Sequence, residues 1–379
     1  MTTIAPQLER DLFLLDLAAR GAQRAHGHVE PNPLVGCIAT DTNGDVIAAD
    51  HHRTYGGPHA EILVLNTAGD RMRGGTLYVT LEPCDHEGRT GPCTDAIIDA
   101  APARVVIGHR DPNPEAAGGL ERLRGAGIEV DLVEHEPSRR LIKPFCTRWS
   151  KHRPWVVAKW AQTLDGHLAT RSGHSQWISS SQSRRLVHRE RGRMDAILTG
   201  IGTVLSDNPR LTARGVRRRR IARRIVVDPS LRIPDDAALL QTLEVAPLTI
   251  VCSQHADTQR QTQLNALGVD VLAMPADDAR MNLQHVLEQL QARHDLSTVL
   301  VEAGPGLLSS LARENCIDEA VVIVAPTLLA DAHALPSLDG QHPDTIADGL
   351  ALNLQRMYRR VDDVVLHYGV SAGSEADNP

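Results

Sequence analysis

"PHAEILVLNTAGDRMRGGTLYVTLEPC", residues 58–84, decides how the first half of the chain folds. Its first part, "AEILVLNTAG", is a short apolar run that stops at a glycine, the mark of a helix and its end. Its last part, "TLYVTLEP", is rich in β-branched and aromatic residues and stops at Pro83, the mark of a strand. A helix followed at once by a strand is one step of an α/β fold with helices laid on a sheet. His59 and Glu61 stand two apart where the helix opens, and Cys84 follows the strand.

The surrounding chain continues the same alternation. Leu8, Leu12, Leu15 and Ala19 recur at helical spacing, so the first element is a helix. "PNPLVGCIATDTNGDVIAADHH" holds two apolar runs flanking Asn43-Gly44, a hairpin signal. "CTDAIIDA" reads as a helix, "RVVIGHRD" and "GIEVDLV" as strands. The basic stretch "KPFCTRWSKHRPWVVAKW" with its two prolines reads as a join, leading into a strand at Trp155. In the second half "DAILTGIGTVL", "RRIVVDPS", "PLTIVCS", "STVLVEAG", "DEAVVIVAPTLL" and "DDVVLHYGV" read as strands. "QSRRLVHRERGRM", "NLQHVLEQLQARH" and "GLLSSLAREN" read as helices. The tail "SAGSEADNP" reads as disordered.

Bulk properties narrow the function. A chain of 379 residues carries two domains or more. Aromatics are 3% and apolar residues 42%, so the cores rest on aliphatic side chains. The net charge of −7 argues against coating nucleic acid. No run of 18 apolar residues exists to span a membrane. The first twenty residues place acids within an apolar helix face, unlike a secretory signal. Six scattered cysteines do not form a disulfide scaffold, so a reducing cytoplasm is expected.

Downstream of His59 lies "LEPCDHEGRTGPC", where Cys84 and Cys93 each follow a proline. One histidine and two cysteines give a zinc ion three ligands and leave one position open, where water becomes acidic. Glu61 is placed to carry that water's proton to a ring nitrogen and a departing amine. Cysteines at a helix start favour the thiolate. A lone His-Ala-Glu is usually a helix start, and two cysteines nine apart are usually unrelated. The order His-x-Glu then Pro-Cys is what joins them as a zinc deaminase set. A structural zinc would need a fourth ligand, Cys37 or His86, and would leave Glu61 without a task.

In these motifs the chain resembles the RibD family, the bifunctional deaminase/reductases of riboflavin biosynthesis. The resemblance covers residues 8 to 370, through "PNPLVGC", "GGPHAE", "YVTLEPCDHEGRTGPC", "DPNP", "KWAQTLDGHLA", "SGHSQWISS", "ILTGIGTVLSDNPRLTAR", "RIVVDPSLR" and "VEAGPGLL". It implies a cytidine-deaminase-like three-layer α/β domain over 1–147 and a dihydrofolate-reductase-like α/β domain over 148–370, with 371–379 as the tail. It implies deamination of a phosphorylated diaminopyrimidinone, then reduction of its ribosyl group to ribityl by NADPH. By resemblance, His59, Cys84 and Cys93 hold zinc and Glu61 shuttles the proton. Asn32, His52, His86 and Arg89 match substrate contacts. Three departures are visible: Asp85 stands where serine is common, Gly91 where proline is, and "DPNP" is followed by "AAGG" without the usual arginine.

For the second half the residues alone offer one nucleotide cue. "STVLVEAGPGLLSSL" is an apolar strand, a glycine turn and a helix whose first N–H groups suit a phosphate; a plain turn is the other reading. "GIGTVL", residues 200–205, is half a dinucleotide fingerprint and lacks the final glycine. The resemblance implies an NADPH site at Ala161, Trp177, Thr203, Asp207, Gly304, Pro305, Gly306, Leu307, Leu308, Ser309 and Ser310. It implies substrate contacts at Lys159, Ser175, Arg191, Leu211, Arg214 and Glu302, with Lys159 or Glu302 assisting proton transfer. Pro229 replaces the serine common after "RIVVD". In "RGVRRRRIARR", residues 214–224, a solvated loop competes with a phosphate-facing role, for which Arg214 is the candidate. A homo-oligomer, dimer or tetramer, is expected by resemblance. Two rivals use other parts of the pattern: a nucleic-acid base deaminase with an accessory domain, and a zinc-stabilised binding module with a degenerate reductase-like half.

Overall fold

The computed structural model describes residues 6–87, 91–114, 116–277, 280–340 and 343–370. The chain divides into two compact units between His152 and Arg153.

The first unit runs α1 (Pro6–Ala22), β1 (Gly36–Thr40), β2 (Val46–His51), α2 (Ala60–Ala68), β3 (Thr76–Val79), α3 (Cys93–Ala100), β4 (Arg104–Ile107), α4 (Gly119–Gly125), β5 (Glu129–Leu132) and α5 (Glu136–Lys151). Its sheet has the order β2-β1-β3-β4-β5, antiparallel across β2-β1-β3 and parallel from β3 to β5. Strand β1 is buried on both faces, because helices cover both sides. Val64, Leu65, Ile97, Leu120 and Leu123 from α2, α3 and α4 pack on Cys37, Ala39, Leu77, Val79 and Val105. Leu14, Leu15 and Ala18 of α1 pack on Ile38, Tyr78 and Val106 of the opposite face, and α5 joins them through Leu141 and Ile142. This is a three-layer sandwich. Gly44 turns the β1–β2 hairpin at φ +84°, which an L side chain rarely adopts.

The second unit runs β6 (Trp155–Gln162), β7 (His167–Ala169), α6 (Ser181–Arg191), β8 (Ala196–Gly200), α7 (Ile201–Asp207), β9 (Arg223–Val227), β10 (Leu248–Ser253), α8 (Thr258–Ala266), β11 (Asp270–Met274), β12 (Ala276–Asp277), β13 (Arg280–Met281), α9 (Leu283–His294), β14 (Thr298–Val301), α10 (Pro305–Arg313), β15 (Glu319–Val324), β16 (Leu335–Pro336), β17 (Leu352–Arg360) and β18 (Asp363–Val370). Its main sheet has the order β11-β10-β9-β8-β14-β6-β15-β18-β17. It is parallel up to β15, after which β18 and β17 close it antiparallel. One face packs on α9 and α10 through Val286, Leu287, Leu290, Leu308 and Leu311. The other takes Leu264 of α8 and Leu186 and Val187 of α6.

Several local expectations differ from the observed elements. The stretch read as a join is helical to Lys151, with Pro144 inside α5. "DAILTGIGTVL" is a strand only to Gly200 and then turns into helix α7. In α1 the buried stripe is Leu14, Leu15, Ala18, Ala19 and Ala22 with Asp11, while Leu8 is exposed. Asp11 is held there by Arg104 at 2.8 Å. The arginine run is no phosphate-facing patch as a whole. Arg224 is buried against Thr242 and the carbonyl of Ala246, and Arg220 pairs with Asp195. Burial lowers the Arg224 pKa to about 10. Strand β17 carried no expectation, and the tail expected to be disordered lies outside the described residues.

Candidate active sites

In the first unit, two helix starts and one loop bring together the candidate ligands. His59 is the N-cap of α2 and Cys93 the first residue of α3. Cys84 sits on the loop after β3, close enough for the Cys93 N–H to reach its sulfur at 3.5 Å. The loop is pressed into place by α4. A Cβ on Gly119 would lie 1.9 Å from the Pro83 carbonyl oxygen, so only glycine permits that approach. Glu82, buried, accepts from the N–H groups of Asp111, Gly118 and Leu120, each at 3.1 Å. Asp85 accepts from Thr94 at 2.7 Å and pairs with Arg122, tying the same loop to α3 and α4.

The result is a cluster of His59 Nδ1, Cys84 Sγ and Cys93 Sγ, all within 4.8 Å of one another. His59 Nδ1 is 3.2 Å from Cys93 Sγ and 3.5 Å from Cys84 Sγ. A tetrahedral zinc with Zn–S of about 2.3 Å and Zn–N of about 2.0 Å would set N···S near roughly 3.5 Å. The donor set therefore fits zinc in type and spacing. The Cys84 thiol is lowered to about 4 by the Cys93 thiol that donates to it, against its burial, with His59 adding to the effect. Cys93 is raised by its bond to Cys84 and by burial. Beside them Glu61 is 3% exposed, and its Oε2 has no hydrogen-bond partner among the described residues. Burial favours its protonated form. A buried carboxylate oxygen with nothing to bond is costly unless a ligand supplies the partner.

The cluster opens on a cavity of about 300 Å³ lined by Asn32, His52, Tyr55, His59, Glu61, Glu82, Cys84, His86, Asp111, Asn113, Phe145 and Trp149. His52 Nδ1 lies 3.0 Å from the Pro58 carbonyl, so that nitrogen carries the proton and Nε2 accepts from Asn32 Nδ2 at 3.3 Å. Asn32 thus has its carbonyl oxygen left for a ligand. Burial, then the charge of Glu82, pushes the Asp111 carboxyl up to about 6.

In the second unit a cavity of about 1110 Å³ opens beyond the C-terminal ends of β8, β14 and β6, where ligands of open α/β sheets sit. Gly200, Gly202, Gly304 and Gly306 line it. A Cβ on Gly202 or Gly306 would meet nothing within 4 Å, so bare backbone faces open space. That is a cradle of the kind a dinucleotide phosphate needs at the N-terminus of α10. Trp177 lies at this cavity, 69% exposed, with the Arg184 guanidinium 4.5 Å from its ring centre. Opposite charges meet at Arg191 and Glu302, paired through Nε–Oε1 at 2.5 Å and NH2–Oε2 at 2.9 Å. Burial opposes the Glu302 charge, yet Arg191 and Lys159 overcome it and hold its pKa at about 2. Burial lowers the Lys159 pKa, with Glu302 opposing. His188 Nδ1 and Arg191 NH1 both converge on the Thr212 carbonyl, at 3.2 and 3.3 Å, and Arg214 reaches the Thr212 hydroxyl at 3.4 Å. Burial and then the neighbouring Arg191 and Arg210 lower the Arg214 pKa, the signature of crowded positive charge that an anion would relieve.

Comparison with known proteins gives this geometry a family. Residues 8–109 match the cytidine and deoxycytidylate deaminase zinc-binding region, and residues 154–366 match the RibD C-terminal domain. The chain belongs to the RibD family. A riboflavin biosynthesis protein RibD of Aquifex aeolicus is 38% identical over 95% of this chain and 98% of its own length. The Escherichia coli RibD is 36% identical over 94% and 99%. The structure of Acinetobacter baumannii RibD, form 1, superposes with a TM-score of 0.83 at 32% identity, covering 96% of this chain and all of that one. A Thermotoga maritima structure described as a diaminohydroxyphosphoribosylaminopyrimidine deaminase/5-amino-6-(5-phosphoribosylamino)uracil reductase gives 0.82 at 31%, with the same coverage. The fold is thus that of RibD, a cytidine-deaminase-like unit followed by a reductase unit.

Set against the residues expected from the RibD resemblance, the structure gathers most of each group. Asn32, His52, His59, Glu61, Cys84 and His86 line the smaller cavity, and Cys93 completes the cluster behind it. Arg89 lies outside the described residues. Cys37, held open as a fourth ligand, is buried in the sheet core and is not in the cluster. Ala161, Trp177, Thr203, Asp207, Gly304, Pro305, Gly306 and Leu307 line the larger cavity, as do Lys159, Ser175, Arg191, Leu211, Arg214 and Glu302. Leu308, Ser309 and Ser310 do not. The helical period turns Leu308 into the core, Ser309 accepts from the Asp339 N–H, and Ser310 bonds back to the Gly306 carbonyl. Arg191, expected as a substrate contact, already spends its fork on Glu302. Pro229 is not among the lining residues. The sequence reading passed over Tyr55, Phe145, Trp149, Arg184, His188 and Arg210. Asp111 and Asn113 were visible in "DPNP"; His188 and Arg184 could have been found from their spacing with Arg191 on one face of α6.

Proposed function

We propose that this chain catalyses two successive steps of riboflavin biosynthesis with the residues gathered in its two cavities. It is a bifunctional enzyme: a hydrolase that deaminates 2,5-diamino-6-ribosylamino-4(3H)-pyrimidinone 5′-phosphate, and an NADPH-dependent reductase that converts the ribosyl group to ribityl. The observation that carries the first step is the unpartnered Oε2 of buried Glu61 beside the His59–Cys84–Cys93 cluster. Zinc held by those three residues supplies Lewis-acid activation of a water. Glu61 takes a proton from the attacking water and returns it to the ring nitrogen. Glu61 then takes the second water proton from the new C2 hydroxyl and passes it to the 2-amino group, so that the C2–N bond breaks with ammonia leaving and a carbonyl oxygen remaining on the ring. Asn32 offers its free carbonyl oxygen, and Asp111 a carboxyl, to the amino and N–H edges of the ring.

In the second step, NADPH supplies a hydride to C1′. The ribosyl ring must open for C1′ to accept it, and the ring oxygen needs a proton. Glu302, held as a carboxylate by Arg191, has none to give. We assign that proton to Lys159, whose ammonium faces Glu302 and is destabilised by burial. Arg214, amid Arg210 and His188, is assigned to the substrate phosphate, and Arg191 to fixing Glu302.

A small phosphorylated pyrimidine is the substrate. Among the described residues no helix is long and apolar enough to cross a membrane. A cytoplasmic location is supported by six cysteines without a disulfide. A homo-oligomer, dimer or tetramer, is supported by exposed Leu352, Leu354 and Met357 on edge strand β17. The deciding experiment combines zinc content, ammonia release and NADPH oxidation on one preparation. Zinc near one per chain, with both activities, is expected. Zinc-loaded protein that releases no ammonia from the diaminopyrimidinone would overturn the first step, and no NADPH oxidation on the deaminated product the second.

A further inference from the structure

The chain holds four Trp, four Tyr and two Phe, and it builds its cores from aliphatic side chains. Three of those few aromatics, Tyr55, Phe145 and Trp149, nevertheless line the 300 Å³ cavity above the His–Cys cluster. They are not there to fill a core, since Trp149 is 37% exposed and Tyr55 48%. Phe145 and Trp149 stand one turn apart on α5, with ring centres 6.2 Å apart and planes at 70°. An edge-to-face contact of this kind braces the indole, and α5 is itself anchored by Leu141 and Ile142 in the core beneath α1. The rest of the lining mixes polar groups, among them Asn32, His52, Asp111 and Asn113, with the small aliphatic side chains Pro33, Val35, Leu81 and Ala116. The polar groups can read the donor and acceptor edges of a planar heterocycle, and the aliphatic ones exclude water, but neither offers the flat, extended π face that an indole presents to such a ring. A cavity of this size suits a single small ring system.

Given the pyrimidine deaminase reading of this cavity, on which it rests, we propose that Trp149, braced by Phe145, is the residue on which the pyrimidinone ring stacks, and so a determinant of substrate affinity and ring specificity in the deamination step. The ring is held flat between the polar groups that fix its rotation and an indole that fixes its plane. Its amino-bearing carbon is then presented to Glu61 in one orientation.

The test uses the full-length, zinc-loaded enzyme and the diaminopyrimidinone 5′-phosphate. Replacing an aromatic platform under a base by alanine weakens binding by roughly 5- to 150-fold. Trp149→Ala should raise the deaminase KM within that range while kcat falls less than about threefold, the pattern of a binding contact. Trp149→Phe should keep KM within about threefold of wild type. NADPH oxidation on the deaminated product, measured on the same preparations, should be unchanged and acts as the folding control. Substrate should quench tryptophan emission in wild type and much less in Trp149→Phe. An unchanged KM in Trp149→Ala, or equal quenching in Trp149→Phe, would overturn the proposal while leaving the deaminase reading intact. So would equal loss of kcat in both variants with a fallen melting temperature, which marks a structural role. If wild type itself releases no ammonia, the deaminase reading has failed instead.

Discussion

At the scale of single residues, two buried carboxyls, one in each unit, sit in opposite environments. Glu61 is buried with one oxygen unbonded, so its value lies in what it does during turnover. Glu61→Gln keeps the shape and removes the shuttle. Deamination is expected to fall by about 10²- to 10⁴-fold, with bound zinc, measured by atomic absorption, unchanged; loss of zinc would make Glu61 a ligand. Glu302 is buried but paired, and its carboxyl sits at about 2 against an ordinary 4.5. A carboxylate depressed on folding stabilises the protein above its unfolded pKa and loses that contribution as pH falls through its folded one. The difference is linked to roughly 3 kcal/mol, present above about pH 4.5 and gone near pH 2. Denaturant titrations should therefore show wild type losing stability between pH 6 and pH 3 faster than Glu302→Gln. That His59, Cys84 and Cys93 come together beside Glu61 was readable from order and spacing, because the chemistry they suit demands those residue types near each other in the chain. The pairing of Arg191 with Glu302 was not, because 111 positions separate them.

Elements place those residues, and here the sequence spoke less clearly. "GIGTVL" has the apolar content of a strand, but Gly200 ends β8 and the chain turns into α7. Strand β17 is largely exposed along its length, so it has no alternation to detect. Helix α5 runs through Pro144 because its apolar face packs on α1, an override of local propensity by tertiary contact. The loop bearing Cys84 depends on Glu82, which closes three backbone N–H groups from the Asp111 turn and the start of α4. Glu82→Ala leaves three N–H donors without their carboxylate partner, that of Leu120 fully buried and those of Asp111 and Gly118 half-buried. A loss of at least about 3 kcal/mol is expected, seen as a drop in melting temperature of roughly 6 to 12 °C, together with faster zinc loss to a chelator. Gly119→Ala attacks the same loop sterically, since its Cβ would overlap the Pro83 carbonyl. It should also weaken zinc retention, measured by the same chelator competition, and an unchanged rate would show that the loop yields there.

At the scale of the whole molecule, two units with separate cores carry separate cavities. Each step should therefore survive loss of the other. Glu61→Gln should still oxidise NADPH on deaminated substrate, and Lys159→Gln should still release ammonia. An equimolar mixture of the two variants should complete the conversion that neither achieves alone, followed by chromatography of the final ribitylamino product. Failure of the mixture, with both single activities intact, would mean that the intermediate does not pass between molecules. The sequence by itself pointed to the α/β class through its periodicity and to His59, Glu61, Cys84 and Cys93 as one candidate set through their order and short-range spacing, while the family and the order of the two activities came from its resemblance to RibD. Only the tertiary structure decided which way each side chain points: that Leu308 faces the core, that Arg191 is bound to Glu302, and that Tyr55, Phe145 and Trp149 line one cavity. Those facts depend on the packing of elements distant in sequence, and packing is settled by the fit of whole faces rather than by any local pattern.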